Sequence, residues 1–426
     1  MTRTVILVAL ALLPPAPVRA GPPDALRAGA AKVDITPPVG HALWGYAARK
    51  DAPSTGVLDP LQARALVLSA GTERIALVSM DLGRAPTRAS THRVRARARA
   101  AGIEHVFLVA SHTHHGPVLE LDDWPTPKTS YVRRLEDRLA AVILEAARNL
   151  RPARIGAASK EVSLNRNRHS KRADRPVDRQ LLVLRVEGAD GRPIAHAVNF
   201  AAHPTMRDPR GQKFSADYPG VLAAAVEKET GAPCLFLQGA AGDLSANPGP
   251  GEGGPEKFGR ALAREALALA ATVRCAAPEK PALQAREEDF TFQGRLDLSN
   301  PLVKAVLAKA FFPDLVAFYA REYRGGVRPH LTAAVLDCRL GFVGVSGEFF
   351  CGHALSLKRR ARLGHLFFLG YCNDYQQYFP TIEATTEGGY GTAPTVSPAE
   401  TGAGERVIDR ALVLLYRMRG MLRADR

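Results

Sequence analysis

Three imidazoles fall within four residues in Ser111-His112-Thr113-His114-His115-Gly116-Pro117, directly after the apolar run Val106-Phe107-Leu108-Val109-Ala110. Histidine is a common zinc ligand and the side chain whose proton moves near neutral pH. On an extended segment alternate residues point the same way, so His112 and His114 can converge on one spot while Thr113 faces elsewhere. Taken alone, the segment also reads as a polar loop in solvent. Other residues able to do chemistry stand just beyond apolar runs elsewhere in the chain. Residues 75–80 end at Asp81, 196–200 lead to His203, and 233–237 lead to Gly242-Asp243-Leu244-Ser245. Residues 341–345 lead to Glu348 and 365–370 to Asn373-Asp374-Tyr375. In open α/β sheets ligands bind beyond the carboxyl ends of the strands. Six such endings from distant parts of the chain predict one assembled site.

The elements that must position these residues follow from the hydrophobic pattern. Apolar, β-rich runs (75–80, 106–110, 181–186, 196–200, 233–237, 341–345, 365–370) alternate with amphipathic stretches expected to be helical (88–101, 131–150, 219–229, 257–271, 405–422). The alternation predicts an α/β fold, with β-sheets flanked by helices. A weak break at 275–295, with a connection into an edge strand, divides the chain into two lobes. Candidate site residues fall on both sides of it, so residues 21–426 are expected to act as one unit.

The chain has 426 residues, 46% hydrophobic and 23% charged, which is a globular composition. The N-terminus reads as a secretory signal peptide over residues 1–20: a short basic start, an apolar run at 5–13 and Val18-Arg19-Ala20 before Gly21. The expected product is exported, periplasmic or secreted. No later run approaches the roughly 18 residues of a membrane span. Five cysteines, an odd number without CxxC spacing, argue against cysteine-held zinc and allow at most two disulfides. A net charge of +15 is compatible with peripheral attraction to an anionic membrane surface, or with an ordinary solvated basic face. Nucleic acid is not an expected partner, since no binding motif occurs and aromatics are only 7%. HExxH, GxSxG and P-loop signatures are absent. Gly249-Pro250-Gly251-Glu252-Gly253-Gly254 matches GxGxxG formally but follows Asn247-Pro248 rather than a strand.

The motifs together resemble the neutral/alkaline (non-lysosomal) ceramidase family. The resemblance runs from Val33-Asp34-Ile35-Thr36-Pro37-Pro38 and Gly45-Tyr46-Ala47 to Tyr390. It rests on the histidine segment, on Asn199-Phe200-Ala201-Ala202-His203, on Ala241-Gly242-Asp243-Leu244-Ser245, on Gly347-Glu348-Phe349 and on the pair Tyr378 and Tyr390. It implies a zinc hydrolase domain in which His112, His203, Glu348 and Tyr378 hold Zn²⁺ and a water completes the shell. It implies a proton-transfer role for His114 and substrate contacts from Tyr390. Arg166 sits where the family has an active-site arginine, with Arg168 two residues on as the alternative. Ser245 matches a serine once cast as nucleophile; having no dedicated base in sequence, it reads better as a positioning residue. Asp81 and Asp243 are the candidate substrate-side carboxylates, a structural role for Asp81 being equally open.

The implied reaction is cleavage of the N-acyl amide of ceramide or a related lipid to a fatty acid and an amine, sphingosine in the case of ceramide. The alternatives are another amide, ester or lactone substrate, or a non-catalytic lipid-binding relative. Three departures bear on the choice. His115 replaces a serine, Ala246-Asn247 replaces Pro-Asn, and the chain stops at Arg426 with no room for the family's C-terminal immunoglobulin-like domain. Apolar residues within 302–319 (Leu307, Phe311, Phe312, Leu315, Val316 and Phe318) read as a buried helix, or else as a lining for an acyl chain. Oligomeric state is not legible.

Overall fold

The computed structural model describes residues 25–121, 130–309 and 312–423. The expected signal peptide (1–20) and Phe311 lie outside them. Eight strands form one mixed sheet, in spatial order Cys234–Gln238, Pro193–Phe200, Gln180–Gly188, Arg151–Glu161, Arg27–Asp34, Gln62–Ala70, Glu73–Met80 and His105–Ala110. A second sheet of four runs Leu283–Asp289, His330–Leu336, Leu340–Val345 and His365–Leu369. The break near 275–295 is where the chain leaves the first sheet for the second, and Leu283–Asp289 is the expected edge strand.

The two sheets lie face to face. Leu77, Phe107, Val109 and Leu237 from the large sheet share one buried cluster with Leu336, Phe342, Phe367 and Leu369 from the small one. The opposite side chains of the same strands, such as Val78, Val106 and Leu108, pack under helices Arg88–Ala98 and Tyr131–Arg148. Helices Asp217–Thr230 and Pro255–Thr272 cover the other end of that sheet. Cys351–Ala361 and Ala403–Met418 cover the small sheet. The order of layers is thus helix, sheet, sheet, helix. Strands buried on both faces read as continuous apolar runs rather than alternating ones, which is why 75–80 and 106–110 stand out in the sequence.

Three parallel pairs set up the site. Glu73–Met80 lies beside His105–Ala110, Pro193–Phe200 beside Cys234–Gln238, and Leu340–Val345 beside His365–Leu369. Parallel neighbours need a crossover, usually a helix; here these are Arg88–Ala98, Asp217–Thr230 and Cys351–Ala361. The carboxyl ends of each pair open at the same place. All five cysteines are unpaired, so apolar packing joins the sheets, helped by cross-sheet contacts such as Asn199 donating to the Phe368 carbonyl at 3.0 Å. Phe107, with no exposed surface, is central to that packing. Phe107→Ala is expected to lower stability by about 3–5 kcal/mol, read as a shifted urea midpoint at unchanged slope.

Candidate active site and metal centre

His112 follows the end of His105–Ala110 by two residues, and its backbone is left-handed (φ 69°). Tyr371, Asn373 and Gln377, on the loop after His365–Leu369, are also left-handed (φ 53°, 60° and 61°). Each such non-glycine residue costs on the order of 1–3 kcal/mol, and such residues cluster at functional sites. Asn373 is held by its side chain, which accepts from the Leu108 amide at 2.8 Å and donates to the Val106 carbonyl at 2.7 Å. The loop is thereby fastened to the strand that delivers His112.

Two histidines are oriented by backbone carbonyls. His112 Nδ1 lies 2.7 Å from the Gly83 carbonyl and His203 Nδ1 lies 2.6 Å from that of Ala241. A carbonyl accepts only, so each Nδ1 carries a hydrogen, and in the neutral ring Nε2 then presents a lone pair. These Nε2 atoms are 3.1 Å apart. Glu348 Oε2 lies 3.2 Å from the first and 3.1 Å from the second. Glu348 pairs with Tyr378 across a short parallel ladder, Glu348–Phe349 beside Tyr378–Phe379, which places the carboxylate and the phenol side by side.

Three acceptors in mutual contact, without a proton between the two imidazoles, call for a cation. Ligands about 2.0–2.1 Å from a tetrahedral ion are about 3.3 Å from one another, close to the spacing here. The donor set therefore fits a metal ion. His112, His114 and His203 also form the one histidine, cysteine and carboxylate cluster of metal-binding size among the described residues.

Electrostatics keep these groups ready to bind. Burial and the nearby Arg168 guanidinium push His203 down to about 3, so its ring is neutral. Burial raises Glu348 and a proton on either neighbouring imidazole would lower it, the net direction being well below the usual carboxyl range. Burial and Glu348 push the Tyr378 phenol well up, so it ionises only if a cation is bound beside it. His114 Nε2 sits 3.3 Å from His112 Nε2. Burial, then its two histidine neighbours, lower its pKa well below the ordinary value. Thr113 turns away to the Ser215 carbonyl, and His115 to that of Asp208. His112 and His114 thus converge with Thr113 turned away, as expected, although the left-handed backbone at His112 takes the segment out of the extended form.

Four of the expected site residues sit elsewhere. Arg166 is exposed on the Asn165–Asn167 strand, between two buried asparagines. Arg168 enters the cluster instead: its Nη2 donates to His203 Nε2 (2.8 Å), to the Gly242 carbonyl (3.1 Å) and to the Tyr378 hydroxyl (3.2 Å). Asp81 is buried against Arg64 and accepts from it at 3.0 Å and from the Gln62 amide at 2.9 Å. The group that orients His112 is the Gly83 carbonyl. Asp243 accepts from the Cys351 amide (2.7 Å) and the Asn167 side chain (2.8 Å), tying two segments together rather than facing the cluster. Ser245 bridges His203 through the backbone. Among the described residues its hydroxyl has no hydrogen-bond partner.

Further residues complete the site, among them Asp374 and Tyr375 of the strand ending already singled out in the sequence. Tyr375 donates to Glu348 Oε1 at 2.5 Å and Tyr371 to Oε2 at 3.4 Å. Trp44 sets its ring edge-on to His112 (5.2 Å) and His114 (5.5 Å). Both Trp44 and Tyr375 rest on a buried ion network. Arg84 meets Glu120 (3.4 Å) and Asp374 (3.1 Å) and lies over the Tyr375 ring, while Glu120 accepts from Trp44 and Tyr319, each at 3.0 Å. Arg84, a lone charge in Leu82-Gly83-Arg84-Ala85-Pro86, was the available signal, but its contact with Glu120 and Asp374 was not.

The cluster opens into a cleft of about 280 Å³. His114, Glu348 and Tyr378 line it, with Leu43, Val118, Leu307, Phe312 and Leu315 forming an apolar side and Tyr390 standing at the rim. The 302–319 stretch is two helices, Pro301–Leu307 and Pro313–Glu322. Their buried residues Leu307, Phe312 and Leu315 are cleft lining, in place of one ordinary core helix.

The layered α/β fold is what solved ceramidase structures share with this chain. A neutral ceramidase from Pseudomonas aeruginosa superposes with a TM-score of 0.77 at 20% identity, over 94% of this chain and 75% of that one. A ceramidase complexed with C2 gives a TM-score of 0.75 at 20% identity, over 94% and 76%. Residues 26–253 match the family described as neutral/alkaline non-lysosomal ceramidase, N-terminal. The chain belongs to the neutral/alkaline non-lysosomal ceramidase family, and so to the hydrolases that act on amide bonds.

The Tyr375 hydroxyl fixes one oxygen of Glu348 and leaves the other for an ion. Tyr375→Phe is expected to weaken metal binding by about 10–100-fold with the fold retained, as measured by competition with a chromogenic chelator.

Proposed function

We propose that the protein is an exported zinc-dependent amidase that cleaves the N-acyl amide of ceramide or a related lipid. The observation that carries this reading is the pair of carbonyl-oriented imidazole lone pairs meeting a carboxylate at 3.1–3.2 Å beside an apolar cleft. A zinc ion held by His112, His203, Glu348 and Tyr378 would supply Lewis acidity toward the acyl carbonyl and acidify a water. Nitrogen and oxygen donors without cysteine suit zinc, and ligands must be deprotonated to bind; the neutral His203 and ionised Glu348 meet that need.

The chain's own residues do the rest. Leu43, Val118, Leu307, Phe312 and Leu315 hold a hydrocarbon chain and exclude water from the amide. Neutral His114, with Nε2 turned to the cluster, accepts a proton and returns it to the leaving nitrogen. Arg168 keeps a fixed positive charge beside Tyr378, where negative charge develops during acyl transfer. Tyr390 packs edge-on to Tyr378 at 5.9 Å and offers its hydroxyl to the substrate at the rim. Ser245 shapes the loop and is not a nucleophile. The name of one neighbouring structure, a ceramidase complexed with C2, supports a lipid amide as substrate, and the N-terminal pattern at residues 1–20 supports export.

Metal analysis and hydrolysis of a fluorescent ceramide on one preparation test this. The expected result is about one zinc per chain, and activity that a chelator abolishes and Zn²⁺ restores. His112→Ala should lose at least roughly 1000-fold in kcat/KM, while Ser245→Ala stays within about tenfold. Wild type without bound metal, or Ser245→Ala as inactive as His112→Ala, would overturn the mechanism. Zinc with turnover of a short N-acyl amide but not of ceramide would remove the lipid from the reading and leave the amidase.

A further inference from the structure

His114 is held differently from the two histidines beside it. Nδ1 of His112 and Nδ1 of His203 each meet a backbone carbonyl. His114 Nδ1 is buried with no hydrogen-bond partner among the described residues. Its Nε2 has one polar contact, His112 Nε2 at 3.3 Å. No hydrogen bond from behind turns this ring toward the cluster, so packing has to do it. That packing comes from one short segment. The Trp44 ring stands edge-on to His114 at 5.5 Å and the Tyr46 ring at 4.8 Å. Between them Gly45 (φ 111°) comes so close that an added Cβ would lie 2.8 Å from His114 Cα, Cβ and Cγ.

Trp44, Gly45 and Tyr46 belong to no strand or helix, and Arg49 closes them around His114. Arg49 is 6% exposed, and its one guanidinium reaches three segments. Nη2 donates to the Trp44 carbonyl at 2.8 Å and to the His114 carbonyl, and Nη1 donates to the Gly211 carbonyl at 2.9 Å. The guanidinium also lies over the Tyr46 ring, with Cζ 4.8 Å from its centre. All three acceptors are carbonyls. The other deeply buried arginines here have carboxylates beside them, Asp81 for Arg64, and Glu120 and Asp374 for Arg84. Burial lowers Arg49 to about 10, so it remains charged at neutral pH. A buried cation without an anion is costly, and a planar fork that bridges separate carbonyls while lying on a ring is a task for guanidinium rather than ammonium. The arrangement bears on one ring: every group that packs His114, and the His114 backbone itself, touches Arg49 or is a chain neighbour of a residue that does.

We infer that Arg49 is the positioning residue of His114: it clamps residues 44–46 around the ring and so holds Nε2 at the cluster. The consequence for turnover rests on the proton-transfer role given to His114 above. Arg49→Met, Arg49→Lys, His114→Ala and Arg49→Met/His114→Ala are compared in zinc content and in kcat and KM for a fluorescent ceramide. The metal-holding side chains are oriented by groups other than Arg49, so Arg49→Met should bind zinc as wild type does. Its kcat should fall about 10–100-fold, the effect of a misplaced reacting group, and Arg49→Lys should recover little of this. In the His114→Ala background the same substitution should cost less than about threefold, because the group it positions is gone. An equal loss in both backgrounds would make Arg49 an ordinary structural residue and overturn the inference. So would lost zinc in Arg49→Met, or wild-type kcat in Arg49→Met or Arg49→Lys. Should Arg49→Met not fold, Tyr46→Leu removes one wall of the packing and leaves the arginine's hydrogen bonds; its kcat should fall only where His114 is present. A crystal structure of Arg49→Met (or of Tyr46→Leu) reads the positioning apart from the chemistry: the His114 ring should turn while His112, His203 and Glu348 stay, and an unmoved ring would overturn the clamp. Wild-type kcat in His114→Ala would instead remove the proton-transfer role, whatever the ring does in that structure.

Discussion

Nε2 of His112, Nε2 of His203 and Oε2 of Glu348 lie within 3.1–3.2 Å of one another, all on side chains with almost no exposed surface. Every one of them is an acceptor. Left alone in a poorly solvated pocket they repel, and an unsatisfied buried acceptor costs roughly 1–3 kcal/mol. Arg168 relieves this on one side only, through His203 and Tyr378. Around this cost the rest of the molecule is arranged: three parallel strand pairs that end together, carbonyls that fix the tautomers, and a loop fastened in left-handed conformations. A cation turns the repulsion into attraction. The same closeness that is unfavourable without an ion pre-organises the site for one.

That arrangement needs a rigid support, which the buried ion network supplies. Arg84 has 1% exposed surface and lies between Glu120 and Asp374. Buried charges add little net stability compared with apolar packing of the same shape, but removing one partner leaves the other unpaired at a cost of about 3–5 kcal/mol. Its use here is geometric. Glu120 fixes the Trp44 indole, Arg84 lies over Tyr375, and Tyr375 holds Glu348. A chain of contacts with two hydrogen bonds, an ion pair and a ring face leaves the carboxylate one position.

What the sequence disclosed follows from which physical signals are local. Strands buried on both faces give long apolar runs, so 75–80, 106–110 and 341–345 were legible, as was the gathering of their ends. The strand Arg151–Glu161, with its mixed and partly exposed pattern, carries no such signal. Alternation gave His112 and His114 on one side with Thr113 on the other. The same rule separates Arg166 from Arg168: with Asn165 and Asn167 turned in, Arg166 must turn out, and the strand ends before Arg168. Asp243 was beyond reach because its partner Cys351 is brought to it by tertiary packing alone, and Asp81 because its partner Arg64 depends on the register of the hairpin Gln62–Ala70 and Glu73–Met80. A buried carboxylate after a strand looks the same in sequence whether it serves a substrate or an arginine.

The family's chemistry and this chain's surface are separable for the same reason. Ligand geometry is fixed by strand ends and carbonyls in the middle of the fold, where a shift of half an ångström disrupts several contacts. The Gly242 backbone, for example, comes so near Glu348 that an added Cβ would lie 2.5 Å from the Glu348 carbonyl. The rim carries less constraint, since on the helix Pro301–Leu307 Leu307 alone is buried and Val303 half-buried. Its composition can therefore vary without disturbing the metal centre.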